Sequence, residues 1–278
     1  YHLMPYKILF SDIDGTLLDA QRSLSARTIK VISQLKERLL IIFVSSRMPI
    51  QMYYLQEKAG LLGMPLIAYN GALVLGRERE VLHSVEISLP LCEQIVALNR
   101  ECTLGKLHIS FYNFDKWYVP QRDIWAVYEE RNTCTTPLVE TNERVLSLWR
   151  PQNKGAHKLM LMGEAPLVEV MWQALQSQMG EQLQLYKAKS TCIEVTLKNV
   201  SKLTGIKAFL SHQKNISLSD AIAFGDNYND KEMLEAVGLG VAVGNARDQV
   251  KAVAKAVTEH HEEDGVAQYL AQMFDIEL

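Results

Sequence analysis

The chain has 278 residues, 48% of them hydrophobic, and a net charge of -3, which fits one large or two medium globular domains. A slightly acidic balance excludes a general nucleic-acid binder, whose footprint is a basic patch. No apolar stretch reaches the roughly 20 residues of a bilayer span, and no basic start leads into a long apolar run, so no membrane partner is expected and the expected location is cytoplasmic.

Tyr1, His2 and Leu3, ahead of Met4, read as an expression remnant. Lys7 to Ser11 is a short apolar strand that runs into two acids, Asp12 and Asp14, in "ILFSDIDGTLLD". Successive strand residues face opposite ways, so these two carboxylates project together if the strand continues that far. Like charges held close destabilise each other's ionised forms, and a divalent cation is the natural offset. Ser23 is placed to cap a helix reaching about Glu37, with Ile29, Ile32 and Leu35 on one face. Leu39 to Val44 reads as a second strand, Met52 to Ala59 as a second helix and Leu66 to Tyr69 as a third strand. That βαβαβ order predicts an α/β fold with a doubly wound parallel sheet. Asn70-Gly71 makes a tight turn, and "ALVLG" with "EVLHS" predicts a hairpin.

From about residue 86 the pattern changes. "ISFYNFDKWYVP" predicts two strands around Asn113 to Asp115, and "RNTCTTPLVETNER" is polar and turn-rich. "HKLMLMG" and "CIEVTL" read as strands, with an amphipathic helix between them from Leu167 to Met179 that presents Leu167, Val170, Met171, Ala174 and Leu175. This is a separate α+β unit. After Ser201 the first pattern returns: a helix over Thr204 to Ser211, the strand "AIAFGD", the helix "NDKEMLEAVG" closed by Gly238, the strand "GVAVGN" and the helix "DQVKAVAKA". The expected domains are therefore residues 1–85 with 199–278 as one sheet domain, and 86–198 as an insert. Cys92, Cys102, Cys134 and Cys192 show no paired metal-ligand spacing and read as reduced thiols.

Ligands of open α/β sheets bind beyond the carboxyl ends of the strands. Asp12, Asp14, Ser45, Ser46, Asn70 and Asp226 all fall there. Singly, each reads as a turn former or helix cap. Together they make a small, oxygen-rich site of the kind that suits Mg²⁺ and a phosphate.

Four segments resemble the haloacid dehalogenase superfamily of phosphohydrolases. They are "DIDGTLLD" with its D-x-D-G-T core, "VSSR" at Val44 to Arg47, the lysine of "NVSKLTG" (Lys202), and "GDNYND" matching G-D-x-x-N-D at Gly225 to Asp230. The insert, "AYNGA" and the tail containing "HHEEDGVA" look like the Cof-type sugar-phosphatase branch. Ser46 departs from it, standing where that branch usually has glycine, and Lys202 is followed by Leu instead of Gly.

The resemblance implies a Rossmann-like core with an α/β cap at 86–198 that sets specificity. It implies Asp12 as the nucleophile and Asp14 as the acid that protonates the leaving oxygen and then activates water. The acid role requires a raised Asp14 pKa. Mg²⁺ is expected on Asp12, Asp226 and the Asp14 carbonyl, with Asp230 behind it. Lys202 pairs with Asp12 and the phosphoryl group, and Ser45 and Asn229 contact phosphoryl oxygens. Arg47 reads equally as a substrate contact and as a solvated strand end. Asn70 and Gly71 are expected where the leaving group enters, although Asn-Gly is also simply a good turn. His157 and Lys158 read as surface residues, Glu194 as a sugar contact or a solvated position, and the aromatics from Phe111 to Tyr118 as cap core or dimer surface.

The expected activity is Mg²⁺-dependent hydrolysis of small phosphorylated metabolites, sugar phosphates first, by a monomer or homodimer. The alternatives are a phosphomutase or phosphotransferase on the same core, and a non-catalytic phosphometabolite-binding protein. The last should have lost one of Asp12, Asp14, Lys202 or Asp226, and all four are present.

Overall fold

The computed structural model describes residues 6–278; Tyr1 to Pro5, with the expected expression remnant, lie outside the described residues. In chain order the structure has β1 (Ile8–Ser11), α1 (Ala26–Leu35), β2 (Leu40–Val44), α2 (Ile50–Lys58), β3 (Leu66–Ala68), β4 (Leu73–Leu75) and β5 (Val81–Ser84). Then come α3 (Leu89–Thr103), β6 (His108–Asn113), β7 (Lys116–Val119), α4 (Ile124–Thr133), β8 (Leu138–Val139), α5 (Asn142–Trp149), β9 (Lys158–Met162), α6 (Ala165–Met179), β10 (Leu183–Lys189) and β11 (Cys192–Leu197). The chain closes with α7 (Lys202–Ser211), β12 (Ala221–Gly225), α8 (Lys231–Ala236), β13 (Leu239–Ala242), α9 (Asp248–Lys251), β14 (Ala256–Val257) and α10 (Gly265–Phe274). Two compact units result: the chain up to His83 together with Ser201–Leu278, and Ser84–Val200.

The first unit is built on an eight-stranded sheet in the order β14-β13-β12-β1-β2-β3-β4-β5. Pairings from β14 through β3 are parallel, and β3 to β4 is antiparallel. β1 and β12 are buried along their whole length, so they read as continuous apolar runs, as strands covered on both faces do. Leu9 and Ile41 meet Val31, Ile32 and Leu270 of α1 and α10, while Phe10 stacks edge-on against Phe209 of α7. Helices thus cover both faces. From β1 the chain winds one way through β2 and β3, and β12 to β14 extend the other way. The switch point lies at β1/β12, where Ser11 is in register with Phe224.

The second unit has a six-stranded sheet, β10-β11-β9-β6-β7-β8. Ile109, Phe111, Leu159, Leu161, Ile193 and Val195 of that sheet share a core with Cys92, Ile95, Val145, Trp149, Val168 and Met171 from α3, α5 and α6. Phe111 and Tyr118 belong to that core, Tyr112 and Trp117 are buried and stack on each other, and Phe114 is exposed, so the aromatic stretch is core only in part.

Several local expectations change. Helix α1 is capped by Ser25, whose hydroxyl accepts from the Thr28 N–H; the Ser23 carbonyl instead closes a loop with the Asp19 N–H. The buried face of α6 is Val168, Met171, Leu175 and Met179, with Val170 exposed. The polar stretch after Tyr128 supplies the end of α4 and the start of α5. Helix α7 begins at Lys202, two residues earlier than expected, and α9 is a single turn. Gly238 closes nothing by its dihedral angles; a Cβ there would lie 2.1 Å from the Ser219 carbonyl oxygen. His157 and Lys158 are buried, so their surface reading is overturned. No helix among the described residues is long and apolar enough to cross a membrane.

Candidate active site

β1 ends at Ser11, and the Asp12 N–H donates to the Phe224 carbonyl, extending the parallel ladder one step past the strand. The chain then turns, with the N–H groups of Thr16, Leu17 and Leu18 converging on the Ile13 carbonyl. Asp12 and Asp14 therefore do not share one face of a continuing strand, and each carboxylate has its own cation.

Asp12 is buried. Its Oδ1 lies 2.5 Å from Lys202 Nζ, and its Oδ2 lies 3.0 Å from the Thr16 hydroxyl. Lys202, wholly buried in the first turn of α7, also donates to Asp230 Oδ1 at 2.6 Å. The other Asp230 oxygen accepts from the Asp226 and Asn227 N–H groups at 2.9 and 3.0 Å, which fixes the loop after β12. The Thr16 hydroxyl also sits 2.8 Å from Asp226 Oδ1. It has one proton for two carboxylates, so it cannot serve both at once.

Carboxylate oxygens of Asp12, Asp226 and Asp230 all lie within 4.8 Å of one another. Burial, with Asp230 nearby, drives Asp12 well above the ordinary carboxylate range despite Lys202, and the same causes push Asp226 up to about 6. Lys202 is buried too, but Asp12 and Asp230 hold it charged. The cluster carries more negative charge than one lysine balances, and its donors are hard oxygens. Both features fit a small divalent cation. Gly15, at φ +77°, makes the approach of Asp226 possible: a Cβ there would stand 2.8 Å from Asp226 Oδ2.

Asp14 belongs to a different group. Arg47, almost wholly buried, donates through Nε to Asp14 Oδ2 and through Nη2 to Oδ1, both at 2.7 Å. Arg47 Nη1 donates to the Gln51 carbonyl and the Tyr54 hydroxyl, both at 3.1 Å. Arg22 adds a contact to Asp14 Oδ1 at 2.7 Å. Burial works to raise Asp14, but the hydrogen bonds and charge of Arg47, with the charge of Arg22, hold it below the usual carboxylate range. The expected raised pKa is therefore corrected, because a bidentate guanidinium stabilises the ionised form.

Ser45 follows the last residue of β2, buried, and its hydroxyl accepts from the Arg47 N–H at 3.1 Å; Ser46 beside it is half-buried. The Tyr69 and Asn70 N–H groups donate to the Arg47 and Ser45 carbonyls. The Asn70 side-chain oxygen accepts from Asn229 at 3.0 Å, tying the β3–β4 turn to the loop after β12. Gly71, at φ +102°, lies against the start of α7, where a Cβ would come 2.2 Å from the Ser201 carbonyl oxygen. Its packing accounts for the glycine. Thr16, Arg22 and Tyr54 were not assigned from sequence. Thr16 stands inside D-x-D-G-T, whereas nothing local marks the other two.

The family model described as haloacid dehalogenase-like hydrolase matches residues 9–270. The chain belongs to that family. A protein of Haemophilus influenzae named as a phosphatase is 32% identical over 278 residues, covering 98% of this chain and 99% of the relative. An HMP-PP phosphatase of Yersinia pestis is 29% identical, covering 95% and 94%. A solved structure from Thermotoga maritima has a TM-score of 0.84 at 26% identity, covering 96% and 97%. Family and relatives together make this chain a phosphatase of the haloacid dehalogenase type.

Proposed function

We propose that the phosphatase uses Mg²⁺ and releases phosphate from small phosphorylated metabolites, sugar phosphates foremost, through an aspartyl-phosphate on Asp12. The observation that carries this reading is the placement of one Asp12 oxygen against buried Lys202, inside a cluster of carboxylates with surplus negative charge. The donors of Asp12 and Asp226, with the Asp14 carbonyl, would hold the cation. When bound, Mg²⁺ supplies charge neutralisation for the carboxylates and a phosphoryl oxygen.

In the proposed cycle an Asp12 oxygen attacks phosphorus, a bond forms between them, and the bond to the leaving oxygen breaks. Asp14 gives its proton to that oxygen. A water then attacks phosphorus, Asp14 takes its proton, and Asp12 and inorganic phosphate separate. The ionised, Arg47-paired Asp14 suits the second, basic half. For the first half, the incoming phosphoryl charge opposes ionisation of Asp14 and works against Arg47. Lys202 holds Asp12 and the transferring group, Ser45 and Asn229 offer further donors, and Asp230 orients Lys202 and the Asp226 loop. Residues 1–85 with 199–278 act as the hydrolase core, and 86–198 as the substrate-selecting cap.

The test is phosphate release from a panel of phosphorylated sugars, nucleotides and small acids, with Mg²⁺ or with chelator, using Asp12→Asn as control. Turnover should need both Mg²⁺ and Asp12, falling by at least about 10³-fold in the variant while circular dichroism stays unchanged. Phosphate release that survives Asp12→Asn overturns the assignment.

A further inference from the structure

We infer that Arg22 is a specificity residue for an anionic leaving group, so that the substrates include phosphate esters with a carboxylate or second phosphate a few bonds from the ester oxygen. The inference rests on the proposed role of Asp14 beside the leaving oxygen.

The site is electrically lopsided. On one side Asp12, Asp226 and Asp230 face the single ammonium of Lys202, a deficit of two positive charges that one divalent cation fills. On the other side the single carboxylate of Asp14 faces two guanidiniums, Arg47 and Arg22. Arg47 already grips both Asp14 oxygens, and its contacts to Gln51 and Tyr54 hold it in place. Arg22 is therefore surplus to the pairing of Asp14. It is also the accessible member of the pair, 45% exposed against 3% for Arg47, and among the described residues its side chain makes one polar contact, through Nη2. The rest of its fork is available to an anion, which guanidinium recognises by paired hydrogen bonds.

The loop that carries Arg22 is built to hold it there. Asp19 Oδ1 accepts from the Gln21 and Ser23 N–H groups at 3.0 and 2.9 Å, and the Arg22 N–H donates to the Asp19 carbonyl at 3.0 Å. Arg22 itself sits at φ 57°, a left-handed conformation that a β-carbon disfavours and that persists only where the surroundings impose it. An arginine kept in that conformation, with Nη2 2.7 Å from Asp14 Oδ1, is placed to read charge on a leaving group that Asp14 serves.

The probes are 2-phosphoglycolate and ethyl phosphate, which differ by a carboxylate in place of a methyl group. Titration calorimetry in Mg²⁺ gives the affinity of each for the full chain, and phosphate release is read separately. Wild-type protein should bind 2-phosphoglycolate about 10- to 100-fold more tightly, the range for a hydrogen bond between charged groups. Arg22→Gln should bring that ratio below about 3, and Arg22→Lys, which keeps the charge, should retain more than half of it on a logarithmic scale. A wild-type ratio near one, or a ratio that Arg22→Gln leaves unchanged, overturns the inference and leaves Arg22 as a positioning residue for Asp14. Phosphate release from neither compound, with the affinity ratio behaving as expected, would count against the hydrolytic reading alone.

Discussion

Arg47 makes four side-chain hydrogen bonds, two to the Asp14 carboxylate, one to a carbonyl of α2 and one to a tyrosine hydroxyl. It thereby joins the end of β2, the first turn of α2 and the loop after β1. Removing one partner of a buried ion pair costs about 3–5 kcal/mol. Asp14 is 34% exposed and keeps Arg22, so solvent and the second guanidinium reduce the loss. Arg47→Ala is expected to lower stability by about 2 kcal/mol in urea unfolding, and to lower kcat as Asp14 loses its fixed orientation. Arg47→Lys should recover less than half of either, because an ammonium cannot reproduce the two-point grip. A loss below about 0.5 kcal/mol would show that Arg22 alone holds the carboxylate. None of this could be read from "VSSR": the partner of Arg47 is 33 residues away and is chosen by the sheet.

At the scale of elements, the position of Lys202 depends on how α7 starts. Ser201 and Thr204 form a reciprocal cap, each side-chain oxygen accepting from the other's N–H at 3.2 and 2.8 Å. Lys202 is the first helical residue, so any fraying there moves the ammonium off Asp12. Ser201→Ala is expected to cost about 1 kcal/mol in thermal or urea unfolding and to reduce kcat more than it raises KM, while Ser201→Thr, which keeps a somewhat weaker capping hydroxyl, should restore most of both. A kcat that is unaffected while stability falls would show that Lys202 is held by Asp12 and Asp230 alone. The capping serine was missed because the helix was expected to begin at Thr204. Ser and Thr are both good caps, so local sequence leaves the start of such a helix open to within a turn. Single-turn α9 is the opposite case. Its apolar spacing predicts a longer helix, but the chain from Lys255 joins the sheet edge, where its N–H bonds the Gly240 carbonyl.

For the whole molecule, the parallel sheet and the acids at its carboxyl edge were legible because fully buried strands appear as uninterrupted apolar runs, each stopped by a polar residue at the ligand edge. The second unit was less legible. Its aromatic and apolar runs identified strands, but not which polar side chains the fold would bury, and His157 is the clearest instance. Its Nδ1 accepts from the Phe114 N–H at 3.1 Å, so Nε2 carries the proton and donates to the Ser84 hydroxyl at 2.8 Å, with the Glu86 carboxylate at 4.0 Å. Burial pushes the imidazole down to about 4, from an ordinary value near 6.5. Between those values the unfolded chain binds a proton that the folded unit refuses, so stability is full above about pH 6.5 and falls as the pH drops toward 4. At pH 5 the loss should reach about 2 kcal/mol relative to pH 7. All four tryptophans, Trp117, Trp125, Trp149 and Trp172, lie in the Ser84–Val200 unit, so their fluorescence follows its unfolding in urea selectively. The tryptophan-detected midpoint should fall more between pH 7 and pH 5 in wild-type protein than in His157→Gln, which keeps polar atoms there but has no proton to gain. Parallel pH dependence in the two proteins would assign the acid sensitivity to other groups and leave His157 with a purely local packing role.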